Sequence, residues 1–378
     1  MRSVKTIKKL ENIPVLLRGS LNVPIENGKV ANTFRLHAVV PTIEYLQSRY
    51  ARVILIGHIG EQGTETLEPV YQAMKEFIPK LEFCPVTIGA KAREAVRNLP
   101  PGGVLMLENL RRDTGETKNS PDFATALAEL ADVFIQDSFD VCHREHASVV
   151  GVPKLLPSYA GFQLLKEVKE LTKALKPKSP SLAVIGGAKF STKEPVLTSL
   201  LKSYDRVFVG GALANDFMRE GGYSIGKSLT SLEADTHAIR ALLKNPKLML
   251  PLDEEVANPG EDSTHAEVVT TGSVPSGEAI YDDGPKTVAE LAKLAANAKT
   301  VLWNGPLGLY EKGFTDATEG LARAIGESSA YSILGGGDTV AAVEELGLSK
   351  RFSFISTGGG AMLDFLATGT LSGIDALN

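Results

Sequence analysis

Cysteine is scarce in this sequence. Cys84 and Cys142 are the only two in 378 residues, and they are far apart and outside any CxxC pair. That leaves no disulfide framework to build on and fits a reducing compartment. Long apolar runs are missing as well: none approaches the ~20 residues of a membrane span. The apolar stretch Ile13–Leu17 is too short for a signal segment and is cut by Arg18. A soluble, cytoplasmic protein with no membrane partner is expected. Nor is there an excess of positive charge. A formal net charge of -5 argues against a duplex nucleic-acid binder, while a local basic pocket for a small anion stays open. No GxGxxG follows a predicted strand, so the dinucleotide fingerprint is absent.

The chain does have bulk and alternation. Hydrophobic residues make up 43% and charged residues 22%, ordinary for a soluble protein, and the length favours two domains. Val53–Ile56, Val104–Leu107 and Val133–Ile135 are continuous apolar runs, as expected of strands covered on both faces. Between them, Leu36, Val39, Val40, Ile43 and Leu46 recur at helix spacing, as do Leu67, Val70, Met74 and Phe77. Alternation of this kind predicts parallel sheets with right-handed crossovers. Gly161–Leu175 reads as an amphipathic helix with Phe162, Leu165, Val168 and Leu175 near one face. The proline-rich stop Lys176–Pro180 follows, and the domain division falls at this helix.

The second half repeats one device, a strand, a glycine cluster and a helix, at Leu182–Lys189, Arg206–Asn215, Ser332–Thr339 and Phe352–Ala361. Glycine turns bring bare N–H groups close to a ligand, and the following helix N-terminus favours phosphate. The carboxyl edge of an open α/β sheet is where ligands bind. A formal phosphate-loop match, GGYSIGKS at Gly221–Ser228, follows a helix-like stretch instead of a strand and is taken as fortuitous. Lys189 and Lys193 are spaced to share one face of a starting helix. Cations there oppose the helix dipole unless an anion is present. In the first half Arg18, His58, Arg111, His143, Arg144 and His146 follow predicted strands and can converge on one edge. Guanidinium groups there suit a phosphorylated acid. His143 and His146 are spaced i, i+3 but lack a third metal ligand. Asp338, at the end of GGGD, is either a Mg²⁺ ligand beside phosphates or a helix N-cap. Glu311, in LWNGPLGLYE, is either an acceptor for ribose hydroxyls or simply an exposed acid.

Taken together, these segments resemble the phosphoglycerate kinase family. LRGSLNVP, VVPTIEYL, GHIG, LENLR, CHREHAS, GGAKFSTK, LWNGPLG, GGGDT and STGGGA occur in family order from Leu17 to Leu366. The resemblance implies an α/β fold of two Rossmann-like parallel-sheet domains joined by an interdomain helix and bending at a hinge. Residues 1–160 would bind 3-phosphoglycerate or 1,3-bisphosphoglycerate, with the tail from about 365 to 378 packing back on them. Residues 161–176 would form the joining helix, and 177–364 would bind ADP or ATP with Mg²⁺. The implied reaction is phosphoryl transfer from 1,3-bisphosphoglycerate to ADP, giving 3-phosphoglycerate and ATP, by a cytoplasmic monomer. The implied acid-site residues are Ser20, Asn22, Arg35, His58, Glu61, Arg111 and Arg144. Arg35, Lys189, Lys193 and the Gly358–Gly359 backbone would stabilise the phosphoryl group in flight. Gly187, Ala188, Lys193, Gly211, Asn304, Pro306, Glu311, Gly336, Gly337, Asp338 and Thr339 would hold the nucleotide, with Asp338 on the metal.

The sequence departs from the family in its acid half. Ser20 stands where Asp is usual, and Glu61 where Arg is usual. Asp140, Val141 and Cys142 stand where small residues are usual, and Arg112 is unusual after Arg111. Arg112 either restores a cation or pairs with Glu61. Because of Ser20 and Glu61, two other readings accompany the first: a paralogue using another acyl phosphate, and a nucleotide-binding protein with little catalysis.

Overall fold

Apolar runs flanked by helical stripes build parallel sheets buried on both faces, and the computed structural model, which describes residues 1–232 and 234–378, contains two. β1 (Pro14–Arg18) is followed by a short antiparallel ribbon, β2 (Ile25–Glu26) with β3 (Lys29–Val30). Then come β4 (Arg52–Ile56), β5 (Leu81–Cys84), β6 (Val104–Leu107), β7 (Val133–Gln136) and β8 (Ser158–Ala160). The first large sheet has the order β5-β6-β4-β1-β7-β8, every pair parallel. Val15, Leu16, Leu17, Val53, Ile54 and Leu55 are fully buried, as strands between helical layers must be. The helices are α1 (Phe34–Ser48), α2 (Glu68–Met74), α3 (Ala90–Asn98), α4 (Thr114–Thr117) and α5 (Pro121–Ala128). Leu36, Val39, Ile43 and Leu46 of α1 point into the core, while Val40 is only half-buried. α2 stops short of Phe77, because the chain turns ahead of Pro79.

The chain forms two compact units, Met1–Lys169 with Thr370–Asn378, and Glu170–Gly369. The changeover falls inside α6 (Phe162–Ala174). Its fully buried residues are Leu164, Glu167, Leu171 and Ala174. Phe162, Leu165, Val168 and Leu175, expected to form the buried stripe, are only half-buried. A buried Glu167 interrupts the true stripe and hides it from an apolar count. Both cysteines are buried in the first unit, and the Gly373 amide of the tail donates to the Cys142 carbonyl at 2.8 Å.

The second unit starts with β9 (Ser181–Ile185), α7 (Phe190–Ser203), β10 (Arg206–Val209), α8 (Ala212–Glu220), α9 (Thr236–Leu243) and β11 (Leu248–Met249). A three-stranded antiparallel sheet follows, β12 (Asp253–Ala257), β13 (Glu267–Thr270) and β14 (Ala279–Asp283), ordered β13-β12-β14. α10 (Pro285–Asn297), β15 (Thr300–Asn304), α11 (Asp316–Glu327), β16 (Tyr331–Gly335), α12 (Gly337–Glu345), β17 (Phe354–Ile355) and α13 (Gly360–Thr368) complete it, and α14 (Ser372–Asp375) lies in the tail. The large sheet runs β11-β10-β9-β15-β16-β17, all parallel. The small sheet carries buried carboxylates with helix-capping work. Asp253 accepts from the Lys286 and Thr287 amides at the start of α10, and Asp282 from the Ala317 amide of α11. The single tryptophan, Trp303, is fully buried in β15. Among the described residues no helix is long and apolar enough to cross a membrane.

Candidate active site

Parallel strands put all their carboxyl ends on one edge, so the loops after β1, β4, β6 and β7 meet there. They are tied by side-chain bonds to backbone. The Asn22 side-chain oxygen accepts from the Gly60 amide at 3.1 Å, and Arg35 Nη1 donates to the Asn22 carbonyl at 2.8 Å. Arg111 Nη1 donates to the Gly60 carbonyl at 2.6 Å. Beneath them Arg18 is fully buried. Its Nε donates to Ser148 Oγ at 2.7 Å and its Nη1 to Ser138 Oγ at 3.1 Å, while Nη2 lies 3.6 Å from the buried Glu116 carboxylate. Glu116 also accepts from the Ser148 hydroxyl and amide. Arg18, expected to converge on the ligand edge, is instead committed to this internal pair, because its partner arrives from α4.

The electrostatics of this edge are those of cations pressed together. Burial pulls the Arg111 guanidinium below its ordinary value, and so do Arg18 and Arg144; Glu116 and Glu61 oppose them. Burial pushes His58 well below the usual imidazole value, helped by Arg18, so its ring is neutral at pH 7. His146 is pushed to about 4 by burial and by Arg18, Arg111 and Arg144. Ser20, Asn22, Arg35, His58, Glu61 and Arg111 all belong to this edge, with Arg144 exposed beside Arg111. Arg112 pairs with Glu108 at 3.1 Å, so it does not pair with Glu61.

In the second unit the glycine clusters follow β9, β10, β16 and β17 as expected, each opening a helix. The loops after β9 and β15 approach so closely that side chains are forbidden. Gly305 has φ +98°, and a Cβ there would run into the Gly186 carbonyl oxygen. Thr339 Oγ1 accepts from the Gly305 amide at 3.1 Å and fixes this crossing. Beside it lies a cavity of about 400 Å³, lined among others by Gly187, Ala188, Gly211, Pro306, Glu311 and Asp338. Asn304 is buried at the end of β15. Gly336 is the N-cap of α12, with φ +95°, so Asp338 sits in the first turn and not at the cap. Gly359, φ +52°, caps α13.

The two lysines do not share a helix face. Lys189 is the exposed N-cap of α7. Lys193 folds back to donate to the Gly186 carbonyl, and burial pushes its ammonium down to about 8, with Asp338 opposing the shift. The GGYSIGKS segment follows α8, and among the described residues the next helix starts at Thr236. Its Lys227 nevertheless lines the cavity.

A family model described as Phosphoglycerate kinase matches residues 4–369. The chain belongs to the phosphoglycerate kinase family. It is 42% identical to the phosphoglycerate kinase of Moorella thermoacetica, over 98% of each chain. It is 40% identical to that of Thermus thermophilus, over 96% of each. The solved phosphoglycerate kinase of Pyrococcus horikoshii superposes with TM-score 0.91 at 31% identity, covering 100% of this chain and 98% of that one. The Coxiella burnetii structure gives 0.84 at 38%, covering 99% and 98%. The reaction is phosphoryl transfer between 1,3-bisphosphoglycerate and ADP, giving 3-phosphoglycerate and ATP. For a phosphoglycerate kinase family member, sequence reading missed Glu116, Ser138 and Ser148 behind the arginines, and Lys227 and Tyr281 in the cavity. Only Asp140 gave a signal in advance, as a departure from the family's small residue.

Proposed function

We propose that the arginine-lined edge within residues 1–160 holds 3-phosphoglycerate or 1,3-bisphosphoglycerate, and that the glycine-lined cavity within residues 177–364 holds ADP or ATP. Residues 161–176 join the two. Asn22, Arg35, Arg111 and Arg144 grip the acid's carboxylate and phosphate, and neutral His58 supplies a hydrogen bond. The carrying observation is the convergence of Arg35 and Arg111 on the Asn22 and Gly60 loops, where burial together with Arg18 and Arg144 pulls the Arg111 guanidinium down, a penalty that an incoming anion relieves. Gly187, Ala188, Gly211, Asn304 and Pro306 shape the nucleoside site, with Glu311 for the ribose. The α12 N-terminus at Gly336–Thr339 suits phosphate.

To the phosphoryl group we assign Arg35, Lys189, Lys193 and the Gly358 and Gly359 amides. The attacking carboxylate is already anionic, so no general base is required. Positioning and charge stabilisation are what the chain must supply. Asp338 fits Mg²⁺: it is a single exposed carboxylate at the cavity, and this ion takes one or two carboxylates with the rest from phosphates and water. Among the described residues no group of three His, Cys, Asp or Glu forms a metal cage. Bound there with the phosphates, the ion supplies charge neutralisation. The same reading makes the enzyme a cytoplasmic monomer.

The test is ATP formation from 1,3-bisphosphoglycerate and Mg-ADP by the purified chain. Turnover that stops on chelation and returns with Mg²⁺ is expected. Ordinary ADP binding without turnover would overturn the reading in favour of a nucleotide-binding role.

A further inference from the structure

A carboxylate lies among the cations of the acid-binding edge. Asp140, in the loop after β7, is 9% exposed. The hydroxyls of Ser20 and Ser138 both donate to its Oδ1 at 2.5 Å, and Arg18 supports Ser138 from behind. Burial would raise this carboxyl, but Arg35 above all, with the two hydroxyls, holds it below its ordinary value. Asp140 therefore stays ionised. Both donors go to one oxygen; among the described residues none reaches Oδ2, and Oδ2 is not among the sealed, partnerless atoms.

A fixed negative charge repels the carboxylate and phosphate of the acid substrate, so at this edge it is useful only against a donor. The acid has one, the hydroxyl on its middle carbon. We infer that Asp140 Oδ2 accepts that hydroxyl, making Asp140 the substrate-binding residue that reads the hydroxyl and orients the acid. Ser20, in the loop after β1, touches the same carboxylate, so an Asp at position 20 would place its own carboxyl group in nearly the same space. The chain thus brings its carboxylate from the neighbouring strand end. This inference rests on the acid substrate lying in the arginine edge.

The experiment compares 3-phosphoglycerate with 3-phosphonooxypropanoate, the same acid without the hydroxyl. The starting protein is expected to bind the hydroxy acid roughly 10–100-fold more tightly, the range of a hydrogen bond to a charged group. Asp140→Ala should bind the two alike, raising KM for 3-phosphoglycerate by that factor and leaving KM for ATP unchanged. Ser20→Asp/Asp140→Gly should restore the preference to within about threefold, a rescue that a merely structural role for Asp140 would not produce. An undiminished preference in Asp140→Ala overturns the inference, as does a folded, acid-binding double variant without preference. Arg35→Met separates the two layers. If it leaves affinity for both acids unchanged, the placement of the substrate is wrong. If it weakens both while Asp140→Ala changes no preference, the placement stands and only the role of Asp140 falls.

Discussion

The two candidate sites are both anion cradles on the carboxyl edge of a parallel sheet, yet they are made of different material. In the first unit the positive charge comes from side chains, and the fully buried Arg18 needs Glu116, Ser138 and Ser148 to stay there. In the second unit the cradle is largely backbone, with glycines crossing too closely for any Cβ. A side-chain cradle can be rewired residue by residue, as Ser20, Glu61 and Asp140 show. A backbone cradle tolerates little change, and no comparable departure occurs there.

The sharpest way to break this contrast is to remove the support beneath the first cradle. Glu116→Ala leaves Arg18 buried and unpaired, and is expected to cost about 3–5 kcal/mol in urea unfolding. A loss below about 1 kcal/mol would show that the buried pair is not what holds the arginines. Next is Lys193, the buried cation of the second cradle. Lys193→Met should lower kcat by roughly 10²–10³-fold with little loss of stability. The folded unit holds fewer protons than the unfolded chain between the buried lysine's pKa of about 8 and the ordinary value of 10.5. Burial of Lys193 therefore costs stability below pH 8, and that cost fades as pH rises through the window. Phosphate binding reverses the shift, so ATP binding near pH 8.5 should take up protons. Calorimetry in buffers of different ionisation enthalpy should detect this uptake, and it should vanish in Lys193→Met. The smallest effect is expected on the exposed rim: Glu61→Arg should lower KM for 3-phosphoglycerate by up to about tenfold in low salt and leave KM for ADP alone, since exposure and salt screen rim charges. An unchanged KM would mean that Glu61 points away from the ligand.

What was legible in the sequence follows the same division. Glycine clusters after apolar runs announced the second cradle, because positive φ at Gly305, Gly336 and Gly359 has few other residues to use. The parallel sheets were legible from strands that are apolar throughout. The antiparallel sheet of β12 to β14 was not, since Asp253, Glu254, Asp282 and Asp283 are all buried, two of them capping helices, and defeat an apolar count. The Arg18–Glu116 pair was equally hidden, as nothing local in a sequence joins residues from distant elements. Lys193 was singled out by a spacing to Lys189 that α7 does not use, and its fold back onto Gly186 depends on the β9–β15 crossing.

The placement of a few rare residues has a practical result. Both thiols, Cys84 and Cys142, are shut inside the first unit, and the one indole, Trp303, is shut inside the second. Each half therefore contains its own intrinsic reporter. Thiol-reagent labelling follows opening of one half and tryptophan fluorescence follows opening of the other, so their stabilities can be measured separately in the unaltered chain.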